Sequence, residues 1–415
     1  MQNLKQRVKG LLIWSQKYTE TDMVYLAKEG FWLTLGQVIS TLASFLLAIA
    51  FANLLDPVVY GNYKYILSLL GILGIFALPG MGTAIIQAVA RNLEGSFYKG
   101  FKEKLKWGAL GSLTALGLAG YYFFKGNYLL PIPLLISAVF LPLMQASGVY
   151  GSFLTGRKLF NIETKYSIVR QIIFVGAMVT TLFLTKNLFW LIAIYFASNT
   201  FLNYFFYLFT RKKFQPNKKE DLQTLSYGKH LSLMNIITTI AGYLDKILVF
   251  HYLGAIEVAI YSFAIAPPEH IKALLKNIQP LALPKFAQRE KKELKSMVFK
   301  KMGKLCLILL PIIAFYIVVA PFLYKILFPR YLNSVLYSQI FAVSLITIIG
   351  ILPLTAFQSQ MAKKQLYQWN IYGSLIQIIL LFFFVYFYGL IGVILARVTS
   401  RFINLGLSFW FIKKI

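Results

Sequence analysis

The sequence predicts an all-α polytopic membrane protein with twelve transmembrane helices, built as two parallel six-helix repeats that form two lobes around a central cavity. Three observations carry this. Hydrophobic residues make up 58% of the 415 and charged residues 13%, where soluble domains hold about half and about a quarter. Apolar stretches long enough to cross a bilayer, about 20 residues each, follow one another along nearly the whole chain. The pattern of residues then starts again halfway.

Residues 1–30 precede the first span as a cytoplasmic segment. "LLIW" at 11–14 is too short for a signal-peptide core, and no small-residue cleavage site follows it. Residues 4–28 read as an amphipathic helix on the inner surface. Leu4, Val8, Leu11 and Leu12 lie on one face, with Lys5, Lys9 and Lys17 towards anionic lipid.

Spans 1 to 6 are predicted near 31–53, 65–90, 107–124, 128–154, 167–185 and 188–210, giving an N-lobe over 31–210. A charged cytoplasmic linker, "RKKFQPNKKEDLQTLSYG", covers 211–228. Spans 7 to 12 follow near 229–252, 257–284, 304–328, 334–360, 369–387 and 389–412, giving a C-lobe over 229–415. The connections are too short to hold a soluble domain with chemistry of its own.

Orientation follows from Lys and Arg. They crowd the segment before span 1 and those after the even-numbered spans. Only Lys64, Lys125, Lys186, Lys325 and Arg330 fall in the other loops. Both termini are therefore predicted to be cytoplasmic. The net charge of +28 tracks alternate loops rather than one face, which argues against nucleic acid as a partner. Cys306 is the only cysteine, so an intramolecular disulfide or a thiolate cluster is excluded.

The repeat rests on three matches in the same order. "GRKLFNIETKYSIVRQII" (156–173) aligns with "AKKQLYQWNIYGSLIQII" (362–379). "TFLNYFFYLFTRKKF" (200–214) aligns with "RFINLGLSFWFIKKI" (401–415), and "FANLLDPVVYGNY" (51–63) resembles "FHYLGAIEVAIY" (250–261). Six spans per repeat return the chain to its starting side, so the repeats are parallel and related by an axis along the membrane normal. Two such bundles with a cavity between them is a transporter plan.

The second half carries charges where insertion costs about 2.5–3.5 kcal/mol each. Span 7 holds Asp245 and Lys246 beside Asn235, Thr239 and Gly242. Span 8 places Glu269, Lys272, Lys276 and Gln279 on one face, with His270 beside them. Span 12 lines up Arg397, Arg401, Asn404 and Ser408. The first-half equivalents are apolar or neutral: Leu46 and Leu47, then Phe196 and Thr200. Asp245 and Lys246 are read as facing water in a cavity wall, with a structural ion pair as the other reading. Glu269 and Lys272 are spaced to neutralise one another in part. Span 8, interrupted by Pro267 and Pro268, has two other readings, two pieces or a surface helix, and Arg170 is read as snorkelling to the inner surface. His251 and His270 lack partners at metal spacing, so no metal site is expected.

Lys246, Lys272, Lys276, Arg397 and Arg401 against Asp245 and Glu269 make a positive cavity. It suits an anionic substrate such as a phosphate or pyrophosphate, with Arg as a forked donor and Lys as a point charge.

With the Asp245-Lys246 pair and "YLGAIEVAIYSFAIA" (252–266) after it, the chain resembles the polysaccharide-transport (O-antigen) flippases of the multidrug/oligosaccharidyl-lipid/polysaccharide (MOP) exporter superfamily. That family typically shows Asp-Arg or Asp-Lys, a short apolar run, then a Gly-x-Tyr turn. Tyr261 matches here, but Ala259 stands where Gly is usual, while Gly61-Asn62-Tyr63 keeps the glycine in the first half. The resemblance implies a MATE-like fold and V-shaped inward and outward states. It implies a lipid-linked oligosaccharide on undecaprenyl pyrophosphate as substrate, and a place in the inner membrane of a bacterium beside a polysaccharide polymerase and a chain-length regulator. Asp245, Glu269 and His270 are the candidates for coupling to a proton or sodium gradient; no cofactor is expected. A drug/cation antiporter would share the fold, but a positive cavity opposes cationic drugs. A membrane glycosyltransferase is the enzyme alternative; no Asp-x-Asp pair exists among the aspartates, and no large loop could house its site.

Overall fold

A computed structural model describes residues 23–275, 279, 282, 286, 291–360 and 362–413. Among them there are helices and no strands. The first half holds α1 (Met23–Leu54), α2 (Pro57–Leu73), α3 (Met81–Ala90), α4 (Gly95–Phe124), α5 (Pro131–Ser147), α6 (Val149–Gly156), α7 (Phe160–Leu184) and α8 (Leu188–Phe214). The second holds α9 (Leu222–Leu253), α10 (Ala255–Leu274), α11 (Lys291–Leu327), α12 (Ser334–Val343), α13 (Ile351–Ser359) and α14 (Lys363–Lys413). Span 2 is divided between α2 and α3, span 4 between α5 and α6, and span 10 between α12 and α13. α14 contains spans 11 and 12, turned at Gly389, whose φ of 56° suits a residue without a Cβ. The amphipathic segment read over residues 4–28 lies outside the described residues up to 22.

Local events decide two of these elements. Span 2 starts at Pro57 rather than near 65. Asp56 Oδ1 accepts from Val58 N at 2.8 Å and Pro57 fills the first turn, where no N–H is needed. Lys64, expected in a loop, is therefore inside a helix. Span 8 stays whole through Pro267 and Pro268. Proline at 267 takes the intrahelical donor from the Phe263 carbonyl, and the Tyr324 hydroxyl on α11 donates to that oxygen at 2.8 Å instead.

The two halves meet along α2, α9 and α10. At the end with few basic residues they share one aromatic cluster: Tyr60 stacks on Phe263 at 4.6 Å, and Tyr331 lies 4.1 Å from the same ring. Asn53 Nδ2 donates to the Leu327 carbonyl at 2.9 Å, and Arg330 to that of Leu55 at 3.3 Å. At the basic end α3 and α4 press on α9, where Gly80 N donates to Ser232 Oγ at 3.0 Å and Lys229 pairs with Glu103 at 3.1 Å.

The region read as a linker is helical at both ends. α8 runs to Phe214, and α9 begins at Leu222 with Asp221 capping Gln223 N at 3.0 Å. The segment between is clasped to the first half. Glu94, in the turn before α4, takes both Arg157 Nε and Nη2, at 2.5 and 2.7 Å, and Asn217 N at 2.8 Å. Burial alone would raise the Glu94 pKa, but the Arg157 and Asn217 hydrogen bonds and the Arg157 charge together hold it below the usual carboxylate range. A carboxyl lowered on folding contributes stability above its unfolded pKa, about 4.3, and loses it as pH falls through the folded value. The thermal midpoint of the wild type should therefore fall more steeply than that of Glu94→Gln below about pH 4.3. Parallel acid profiles would show that the clasp adds no stability.

Candidate functional site

α9, α10 and α14 bring the charges of spans 7, 8 and 12 together, in two layers of different character. The inner layer closes around Asp245, and Arg397 reaches from it to the cavity. Asp245 is 0% exposed and accepts from the Tyr261 hydroxyl and from Lys246 N, both at 2.7 Å. Lys246 Nζ and Arg397 Nε stand 3.6 Å from its two oxygens. A bare carboxylate at this depth would be prohibitive; two cations and two hydrogen bonds make it tolerable. Asp245 thus does not face water as the sequence suggested. Its helix turns it towards Tyr261 and Arg397 on neighbouring helices, and the structural ion pair is the reading that stands.

The outer layer faces a cavity of ≈ 630 Å³. Arg401, one turn beyond Arg397 on α14, donates to Ser344 Oγ at 2.9 Å and lies 4.5 Å above the Phe341 ring. It pairs with Glu269, whose other oxygen is 3.9 Å from Lys272 Nζ. Lys272, Arg397, Arg401 and Glu269 all line the cavity. The rest of the lining mixes apolar side chains such as Ile348, Ile351 and Leu354 with the polar Thr238, Gln377, Asn404 and Trp369. Trp369 Nε1 donates to the Asn404 carbonyl at 3.1 Å. Lys276 lies outside the described residues.

Lys246 and His270 are not on the cavity wall that is described. His270 packs edge-on to Phe45 of the first half at 5.6 Å. Lys64 of α2 lies within electrostatic reach of both Lys246 and His270. Lys64 and Lys246 thus bring two basic side chains to the seam between the halves, with His270 beside them. Sequence reasoning missed Lys64 because Asn62 and Lys64 dilute the hydropathy of a helix that had already begun. It also missed Ser344, Phe341, Trp369 and Gln377 as site residues; Gln377 was visible only as a repeat match to Gln171. Arg170 has a partner on a neighbouring helix. Its Nη1 donates to Asn203 Oδ1 at 3.0 Å, and Asn203 in turn donates to the Met144 carbonyl at 3.2 Å. Among the described residues no three His, Cys, Asp or Glu side chains cluster at metal-binding distance.

Comparison with known proteins decides the family. The family model described as "Polysaccharide biosynthesis protein" matches residues 26–288. The chain belongs to this family. Curated proteins yield no match. Among solved structures, the lipid II flippase MurJ in an inward closed conformation superposes with a TM-score of 0.71 at 14% identity, covering 91% of this chain and 87% of that one. An inward-facing multidrug resistance MATE family transporter of the MOP superfamily gives 0.67 at 14% identity, over 90% and 94%. A MOP superfamily transporter from Pyrococcus furiosus, whose binding pocket is described as reversed in polarity, gives 0.63 at 15%, over 94% and 95%. The fold of this family member is therefore that of the MOP transporters: a multi-pass helical membrane protein.

Proposed function

We propose that the protein is a flippase. It moves undecaprenyl-pyrophosphate-linked oligosaccharide repeat units, of O-antigen or a related surface polysaccharide, from the cytoplasmic to the periplasmic leaflet of a bacterial inner membrane. The observation that carries this reading is the placement of lysines from both halves at their seam: Lys64 over the Tyr60 ring that stacks on Phe263, and Lys246 beside Tyr261 on the other side. A diphosphate held there would be gripped by both halves at once, and rocking of the halves would move it across the bilayer while the lipid tail stays in the membrane. The ring-rich sequence offers stacking surfaces for the sugars. No covalent step is required, so the reading is of a transporter and not an enzyme. Of the three candidates for coupling to a proton or sodium gradient, the reading keeps Glu269 and His270, because Asp245 is pinned by its partners. The polymerase and chain-length regulator that use the flipped units would be its neighbours.

The test is deletion of the gene in its own host, with lipid-linked oligosaccharide quantified in each leaflet alongside surface polysaccharide. Completed units trapped in the inner leaflet are expected. Incomplete units would indicate synthesis instead, and intact polysaccharide with lowered drug tolerance would favour an antiporter. In a complemented strain, Arg401→Ala should lose transport while inserting normally. Wild-type transport by a variant with both Arg397→Ala and Arg401→Ala would remove the second-half cavity from the mechanism.

A further inference from the structure

The last turn of α8 carries three consecutive cations, Arg211, Lys212 and Lys213. Lys213 lies over the Phe209 and Phe214 rings, 5.6 Å from each. Arg211 and Lys212 instead line a cavity of ≈ 540 Å³ at the basic end, with Tyr98, Leu208, Gln215 and Pro216. The helix dipole accounts for cations at this terminus, but not for a concave site around two of them. The carboxylates of this end have other partners. Asp221 pairs with Arg91, Glu220 with Lys99, Glu94 with Arg157 and Glu103 with Lys229, which leaves Arg211 and Lys212 without a carboxylate among the described residues.

Towards the bilayer the site is apolar. Phe201, Phe205 and Leu208 follow one another along α8 at steps of four and three, which places them on one face. They are between 40% and 66% exposed, and in a chain that crosses a membrane this face meets lipid. The two cations thus stand at the head of an apolar track. The remaining walls come from the start of α4 and the first residues of the linker. Arg211 lies 5.8 Å above the Tyr98 ring, and the Tyr98 hydroxyl donates to the Pro216 carbonyl at 3.4 Å. Gln215, with φ of 42°, turns the chain out of α8.

We propose that this cavity holds the phosphodiester head group of an anionic glycerophospholipid, bound as a resident and not as cargo. Arg211 offers a fork and Lys212 a point charge to the phosphate, and an acyl chain lies along Leu208, Phe205 and Phe201. Basic pockets between membrane helices take anionic head groups in this way. The apolar track favours a lipid over a soluble acidic partner, which would leave that face uncovered. A head group held here touches α4, α8 and the linker at once, and so fixes the point where the chain leaves the first half. The site is separate from the second-half cavity and from the seam, and it stands whatever the transported substrate is.

The experiment is native mass spectrometry of the full chain released from nanodiscs of equal phosphatidylglycerol and phosphatidylethanolamine. Phosphatidylglycerol should be retained in preference. Arg211→Gln and Lys212→Gln should each lower its retention by about fivefold, and the two together by about thirtyfold, the scale of surface cations acting on an anionic lipid. The single variants keep the test valid if the double variant misfolds. Lys300→Gln with Lys304→Gln removes the same charge from exposed positions of α11 and should leave retention unchanged. An equal loss in that control would reduce the preference to the general field of the basic end and overturn the site. Equal retention of the two lipids would overturn it as well. Displacement of phosphatidylglycerol by added inorganic phosphate would reassign the pocket to a free anion and overturn the lipid as its occupant.

Discussion

Asp245→Ala should cost about 3–5 kcal/mol of folding stability, the scale for breaking a buried ion pair by removing one partner. Arg397 would be left in the helix bundle with an unmatched charge. Its Nε already lacks a hydrogen bond among the described residues and has Asp245 as its carboxylate neighbour at 3.6 Å. The Tyr261 hydroxyl would lose its acceptor as well. Removing both charges should be far milder, because apolar replacement of a whole buried pair is often neutral or stabilising. Thermal unfolding of purified Asp245→Ala, Arg397→Met and the double variant closes the cycle. A double variant much more stable than Asp245→Ala alone is the expected result. Three equal midpoints would mean that the network does not hold the second half together, and would reopen the water-facing reading.

Gly61→Ala should have the larger effect on conformation. A Cβ at position 61 would lie 1.8 Å from the Ala255 carbonyl oxygen, a contact between two helix backbones with no flexible side chain to yield. α2 and the start of α10 must separate by about 1.5–2 Å to restore van der Waals spacing, which wedges the halves apart at the end closed by Tyr60, Phe263 and Tyr331. Spin labels at the exposed positions Val58 and Ile256, in a Cys306→Ser background, report this directly. A longer distance together with lost transport is expected. An unchanged distance with wild-type transport would show that this contact is not a seal between the halves.

Much of the architecture was legible in one dimension. Helices placed by apolar length recur in the structure because a bilayer admits few other ways to satisfy a backbone. Two features turned on single capping or bonding events: the Asp56-Pro57 start that carried Lys64 into a helix, and the Tyr324 hydroxyl that let α10 run through two prolines. Hydropathy averages over such events. The charged residues were also legible as a set, since intramembrane charge is costly enough to stand out. Their partners were not. Arg401 with Ser344 and Phe341, Asp245 with Tyr261 and Arg397, and Arg170 with Asn203 all join residues far apart in sequence.

By itself the sequence determined what must be in the membrane, that the cluster of charges in spans 7, 8 and 12 belongs to the second half, and which family the repeat resembles. These follow from composition and period, which are properties of a string. Only the tertiary structure decided which charges are spent on holding helices together and which remain for a ligand. Asp245 and Glu269 are equally acidic as letters. One is closed in by two hydrogen-bond donors and two cations and the other faces a cavity, because burial and pairing depend on what neighbouring helices bring, and adjacent turns of one helix can meet quite different surroundings.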